Sequence, residues 1–192
     1  MSQSDQHPIL FLDIDDVLCL NNVYGGYDVI RAIRGVHPFP EDVYKKVFDT
    51  RACEVLASIH SAMGGNIQYV ISSTWREELE EEQMREVFRR TGIGFVGHAL
   101  HEYWCTPVGP RRGRRADDIA AWLDDWHEGQ AFAIVDDVYS GPSLAPALTN
   151  PAHPFHGRVA LCDESVGLLP EHAETLLQAL RRPAALPSGS AQ

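Results

Sequence analysis

The chain has 192 residues, enough for about one domain at roughly 150 residues each, and its 44% hydrophobic and 22% charged residues are the make-up of an ordinary globular protein rather than a disordered, collagenous or membrane chain. Sixteen Lys+Arg against 27 Asp+Glu give a formal charge of −11, which disfavours wholesale wrapping of nucleic acid or docking on anionic lipid while leaving room for a local basic patch. No apolar run approaches the roughly 20 residues that span a bilayer.

Met1 to His7 is polar, with neither the basic start nor the apolar run of a secretory signal, so a cytoplasmic protein is expected. Cys19, Cys53, Cys105 and Cys162 stand far apart without a CxxC pair, which fits reduced thiols rather than a zinc site or a disulfide framework. The nine histidines show no metal-ligand spacing.

In chain order, Ile9-Leu10-Phe11-Leu12 is too short and too apolar for a helix and predicts a buried strand that runs into Asp13-Ile14-Asp15-Asp16. From Cys19 to Thr50 no period is sustained, which reads as an insertion or flap. Ala52, Val55, Leu56, Ile59 and Met63 recur at helical spacing before the stop signal Gly64-Gly65. Tyr69-Val70-Ile71 predicts a second strand leading into Ser72-Ser73-Thr74, and Trp75 to Arg90 a charged helix with Glu77 to Glu82 as a solvated face. Ile93 to Val96 is the expected third strand and Ala116 to Trp126 the next helix. Ala131 to Val135 then ends in Asp136-Asp137, Arg158 to Leu161 gives a fifth strand, Glu171 to Arg181 a last helix, and Pro183 to Gln192 a flexible tail.

Strands alternating with helices imply a mainly parallel sheet covered on both faces, a Rossmann-like three-layer α/β sandwich over residues 1–182 with a small flap at 19–50. Ligands of such sheets bind beyond the carboxyl ends of the strands. Three of the expected strands end there in Asp13-Ile14-Asp15, Ser72-Ser73-Thr74 and Asp136-Asp137. Carboxylates gathered at one edge repel one another unless a cation offsets them. An all-oxygen set suits Mg²⁺, which keeps waters and sits beside phosphate. A carboxylate there can attack phosphorus while a second acid two residues on protonates the leaving oxygen. Strand alternation points Asp136 and Asp137 to opposite faces.

These residues resemble the motifs of the haloacid dehalogenase (HAD) superfamily. Ile9 to Leu18 is similar to the first motif, a strand followed by Asp-x-Asp; Tyr69-Val70-Ile71-Ser72 to the second; and Ile134-Val135-Asp136-Asp137 to the fourth. The basic third motif is met by Arg115, with Arg112 and Arg114 as competitors. Ile71 to Arg76 and Val166-Gly167-Leu168 suggest the subgroup related to phosphatase domains of nucleic-acid repair proteins.

The resemblance implies a Mg²⁺-dependent phosphatase. Asp13 would be the nucleophile that forms an aspartyl-phosphate, and Asp15 the general acid/base with its backbone carbonyl on the metal. Ser72, or its neighbour Ser73, would bind the phosphoryl oxygens, Arg115 would offset charge, and Asp136 or Asp137 would complete the metal site together with Asp13 and Asp15. A short flap implies an open site for bulky phosphorylated substrates such as nucleic-acid ends or phosphoproteins; a small-molecule phosphatase and a non-catalytic module are the alternatives. The run Arg111, Arg112, Arg114 and Arg115 is a candidate phosphate-attracting patch. Trp75 and Trp104 read as core residues in preference to base-stacking ones.

Overall fold

The computed structural model describes residues 7–36, 38–109 and 114–182. Five strands, β1 (Ile9–Leu12), β2 (Gln68–Ile71), β3 (Leu100–Cys105), β4 (Phe132–Asp137) and β5 (Val159–Cys162), form one sheet in the order β3-β2-β1-β4-β5, with every pair parallel. The helices are α1 (Gly26–Ile33), α2 (Val43–Lys46), α3 (Thr50–Ala62), a 3-10 turn at Thr74–Glu77, α4 (Glu81–Arg90), α5 (Gly94–His98), α6 (Arg115–Trp126), α7 (Pro146–Thr149) and α8 (Pro170–Leu180). This is the expected Rossmann-like α/β architecture. No described helix is long and apolar enough to cross a membrane.

The strands read as continuous apolar runs because both faces are covered. Leu10, Leu12, Tyr69, Ile71, Ala133 and Val135 pack into the larger core with α3, α4 and α8. Ile9, Phe11, Val70, Phe132 and Ile134 pack on the other face with Ile119 and Trp122 of α6, Phe11 meeting the Trp122 ring edge-on at 5.2 Å. The fully buried β1 is the central strand.

Four expectations need correction. Ile93 to Val96 is not the third strand; the chain turns through Gly92 (φ +88°) and enters α5, and the edge strand β3 follows at Leu100. A four-residue apolar run cannot tell a strand from a buried helical turn, and here α5 packs closely on α4. The helix expected from Trp75 to Arg90 is interrupted: Leu79 drops into the core, and α4 starts afresh where Gln83 Oε1 accepts the Glu80 N–H at 3.0 Å. The segment 19–50, where no period is sustained in the sequence, nonetheless holds two helices, α1 and α2, whose Val29, Ala32 and Val43 are buried. Finally, β4 does not stop before its acids, because Asp136 and Asp137 remain paired with Leu161 and Cys162 of β5.

Candidate active site at the carboxyl edge of the sheet

Registers carry the site across the strands. β1 pairs Leu12 with Ile71 on one side and with Val135 on the other, while Ile71 faces Cys105. One residue further along each strand stand Thr106, Ser72, Asp13 and Asp136, a row across four adjacent strands. The ladder extends that far, since Ser72 N donates to Leu12 O (2.9 Å), Asp13 N to Val135 O (3.0 Å) and Thr106 N to Ile71 O (3.0 Å). All four residues are buried.

Arg115 opens α6, whose first turn is fixed by the Ala116 N–H donating to Ser143 Oγ at 3.0 Å. From there its guanidinium reaches the row, Nε donating to Asp136 Oδ2 at 2.9 Å and Nη2 to Asp13 Oδ1 at 3.3 Å. Of the competing arginines, Arg114 is exposed and pairs with Asp117, and Arg112 lies outside the described residues together with Arg111. Two of the four arginines of the expected basic patch, Arg111 and Arg112, therefore lie outside the described residues, and of the other two Arg115 is turned inward to the acids.

One carboxylate oxygen from each of Asp13, Asp136 and Asp137 lies within 4.8 Å of the others. Alternation along β4 does not keep the last two apart, because the turn after the strand gathers both: Ser140 Oγ donates to Asp136 Oδ1 at 2.8 Å and also to Asp137 Oδ2. The backbone N–H groups of Tyr139 (2.6 Å) and Ser140 (2.9 Å) donate to Asp137 Oδ1. Burial raises Asp13 well above the usual carboxylate range, Asp136 adds to the rise, and Arg115 opposes it. Burial also raises Asp136, against the pull of Arg115 and Ser140. Burial works against the charge on Arg115, yet Asp136 and Asp13 more than offset it and hold the guanidinium above its ordinary value. Two of the three buried carboxylates, Asp13 and Asp136, thus share one buried guanidinium, and Asp13 Oδ2 has no hydrogen-bond partner. That hard, under-neutralised oxygen set fits a divalent cation such as Mg²⁺.

Asp15 stands outside the three-carboxylate set, in the tight turn after β1 where Ile14 O accepts from Val17, Leu18 and Cys19. Its Oδ2 accepts the Trp75 indole N–H at 3.0 Å, and burial raises the carboxyl, favouring its protonated form. The turn is braced from behind by Val166-Gly167-Leu168, with Leu168 N donating to Val17 O. Gly167 sits at φ +79°, where a Cβ would meet Val17 O at 2.9 Å, so that short motif serves the shape of the turn.

Neither tryptophan is offered to a ligand as a stacking face: Trp75 is buried against Phe48, and Trp104 is half-buried against the core. Ser72 and Ser73 are both buried, and their hydroxyls, like that of Thr106, have no hydrogen-bond partner. Thr106 and Ser140 carry no motif that marks them in the sequence, whereas Trp75 and Arg76 lie in the Ile71 to Arg76 segment but without a role that the sequence could assign. Arg76 forms a buried clasp behind the row: Nε donates to Thr106 O (2.9 Å), Nη1 to Ser73 O (2.6 Å) and Nη2 to Asp118 Oδ2 (2.8 Å), while Gly109 N donates to Asp118 Oδ1 (3.0 Å). The ends of β2 and β3 are thereby tied to the helix that carries Arg115.

Next to the row, and reaching it through Asp15 and Arg115, lies a cleft of about 860 Å³ whose lining also includes Tyr27, Arg34 and Tyr139. Helix α1 forms one wall. Gly26 touches Trp75 so closely that a Cβ would lie 2.8 Å from the indole nitrogen, and Arg34 straps the other end by donating to Glu78 O and Oε2.

Comparison with known proteins agrees with this geometry: residues 9–173 match the family described as the HAD domain in Swiss Army Knife RNA repair proteins. No curated protein and no solved structure matches the chain. With the parallel sheet, the acids at its carboxyl edge and a match over most of its length, the chain belongs to that HAD family, whose domains are of the phosphatase and hydrolase kind.

Proposed function

We propose that this HAD domain is a Mg²⁺-dependent phosphatase that works through an aspartyl-phosphate on Asp13 and removes the terminal phosphate of a nucleic-acid end. The observation that carries the reading is the row itself: a buried Asp13 oxygen without a partner, between a guanidinium and a set of equally unpartnered hydroxyls. Desolvated polar groups left open in this way suit an anion with several oxygens.

Asp13 attacks phosphorus, and the bond to the leaving oxygen breaks as Asp15 gives that oxygen a proton. Asp15 then takes a proton from water, which attacks the aspartyl-phosphate, releases phosphate and returns Asp13 to its carboxylate. Ser72, Ser73 and Thr106 supply hydroxyl donors to the phosphoryl oxygens, and Arg115 holds Asp13 and Asp136 in place. Bound by Asp13, Asp136, Asp137 and the backbone carbonyl of Asp15, Mg²⁺ would supply the positive charge that lets a carboxylate approach a phosphate dianion. The family's description supports a nucleic-acid end over a small metabolite, and the cleft lined by Asp15 and Arg115 has room for a nucleotide at such an end. We further read residues 1–182 as one domain with 19–50 as its flap, working in the cytoplasm, where its four free cysteines would stay reduced.

Phosphate release is the test, with 5′- and 3′-phosphorylated oligonucleotides, free nucleotides, sugar phosphates and phosphopeptides as substrates. Oligonucleotide ends should be turned over with Mg²⁺, chelator should stop the reaction, and Asp13→Asn should lower kcat at least a hundredfold while thermal unfolding stays near that of the parent, in line with the roughly 10²–10⁴-fold worth of a reacting group. Turnover by Asp13→Asn, or full activity in excess chelator, would overturn the mechanism. Release from sugar phosphates alone would replace the substrate, and release from none would leave a binding module.

A further inference from the structure

Tyr27 and Tyr139 are the most exposed large hydrophobic side chains among the described residues, at 71% and 80%. A single exposed aromatic ring needs no explanation. These two, however, come from separate segments of the chain, after β1 and after β4, and border the same cleft, which Asp15 and Arg115 also line.

Both rings rise from backbone that is firmly held. Tyr27 lies in the first turn of α1, between Gly26, which touches the Trp75 indole, and Asp28, whose Oδ2 accepts the Gly25 N–H at 3.0 Å. The Arg31 guanidinium stands 5.6 Å from the centre of its ring, and Arg34 fastens the far end of the helix to Glu78. Tyr139 sits two residues beyond Asp137 and donates its backbone N–H to that carboxylate, so its position is set by the same turn that shapes the acidic cluster. Rings that are fixed at the base and largely exposed, Tyr27 with Arg31 over one face, are suited to stacking on a free face, since little order is lost when a flat partner arrives.

We infer that Tyr27 and Tyr139 form a stacking site for the nucleobase next to the scissile phosphate, so that the cleft selects a nucleoside phosphate over a bare sugar phosphate. The inference rests on the phosphatase reading for the place of the phosphate, over Asp13 and Arg115. The cleft volume of about 860 Å³ lies within the roughly 300–1,000 Å³ usual for small-molecule sites and has room for a nucleotide. Stacking also reconciles substrate and charge: it draws on the π-face that every base carries, so a molecule of net charge −11 gains affinity for a polyanion's end without a long basic track.

The experiment compares adenosine 5′- and 3′-monophosphate with ribose 5-phosphate as substrates of the parent and of Tyr27→Ala, Tyr139→Ala, Tyr27→Phe and Tyr139→Phe. Each Ala variant should raise KM for the nucleotide about fivefold or more relative to its effect on ribose 5-phosphate, and each Phe variant should restore the parent ratio, because the ring and not the hydroxyl is used. A second readout needs no turnover. In Asp13→Asn protein with Mg²⁺, 2-aminopurine riboside 5′-monophosphate should lose fluorescence on binding, and the loss should shrink when either tyrosine becomes Ala. Equal KM changes for both substrates, Phe variants that behave like Ala, or a phosphotyrosine peptide used as well as the nucleotides would each overturn the base site. If quenching depends on the tyrosines while no phosphate ester is turned over, the base site stands and the phosphatase reading falls.

Discussion

Thr106 buries a hydroxyl that has no hydrogen-bond partner, at 1% exposure, a placement that costs about 1–3 kcal/mol unless a ligand uses it. Thr106→Val keeps the shape and deletes the oxygen. Thermal unfolding of the metal-free protein should therefore move slightly upward, while kcat/KM for a phosphorylated end should fall by about tenfold, the loss of one hydrogen bond to a charged oxygen. Lower stability with unchanged kinetics would instead make Thr106 a plain structural residue. The residues at this edge were not equally legible beforehand. Asp13, Ser72, Asp136 and Asp137 stand directly after short apolar runs that alternate with longer helical patterns, so once those runs are read as strands their convergence follows from the topology of a parallel sheet. Thr106 ends the one strand whose position the pattern misplaced, and an end-of-strand residue cannot be recognised before its strand is. Arg115 was separable from Arg114 only once the start of α6 was known, because one step along a helix turns a side chain from the acids to solvent.

The clasp between Arg76 and Asp118 joins the turn after β2, the end of β3 and the first turn of α6. Both side chains are largely withdrawn from water, at 3% and 9%, and burial lowers Arg76 from its usual value even with Asp118 beside it. Asp118→Ala would strand a buried guanidinium and should cost about 3–5 kcal/mol in urea unfolding. Arg76→Met combined with Asp118→Leu should cost clearly less than the two single changes added together, and strict additivity would show that the pair does not act as a unit. At this scale the sequence was legible wherever periodicity was long: α3, α6 and α8 fall where expected. It failed where elements are short or tertiary contacts intervene. α1 has only eight residues and is held by Trp75 and Glu78, and the break before α4 exists because Leu79 is drawn into the core.

Across the whole molecule, a charge of −11 surrounds a site for which we propose an anionic substrate. Repulsion between exposed charges reaches about 8–10 Å at moderate ionic strength and shrinks as salt is added. KM for a phosphorylated oligonucleotide of ten or so residues should therefore fall when salt rises from about 0.05 to about 0.2 M, while KM for a mononucleotide changes little. A rise for the oligonucleotide would show that the arginines at 111 and 112 govern the approach instead. The sheet order carries one more consequence, which concerns the time at which the chain becomes competent. β1 holds Asp13 at the centre, yet its two neighbours arrive late: Ile9 pairs with Gln68 on one side and with Phe132 on the other. During synthesis the most apolar strand leaves the ribosome first and waits for both partners with unpaired edges, an aggregation hazard of the kind that chaperones shield. Because β4 also supplies Asp136 and Asp137, any truncated product that ends before it would leave both that edge open and the acidic cluster unbuilt, so a nascent chain cannot acquire the site before it acquires the fold.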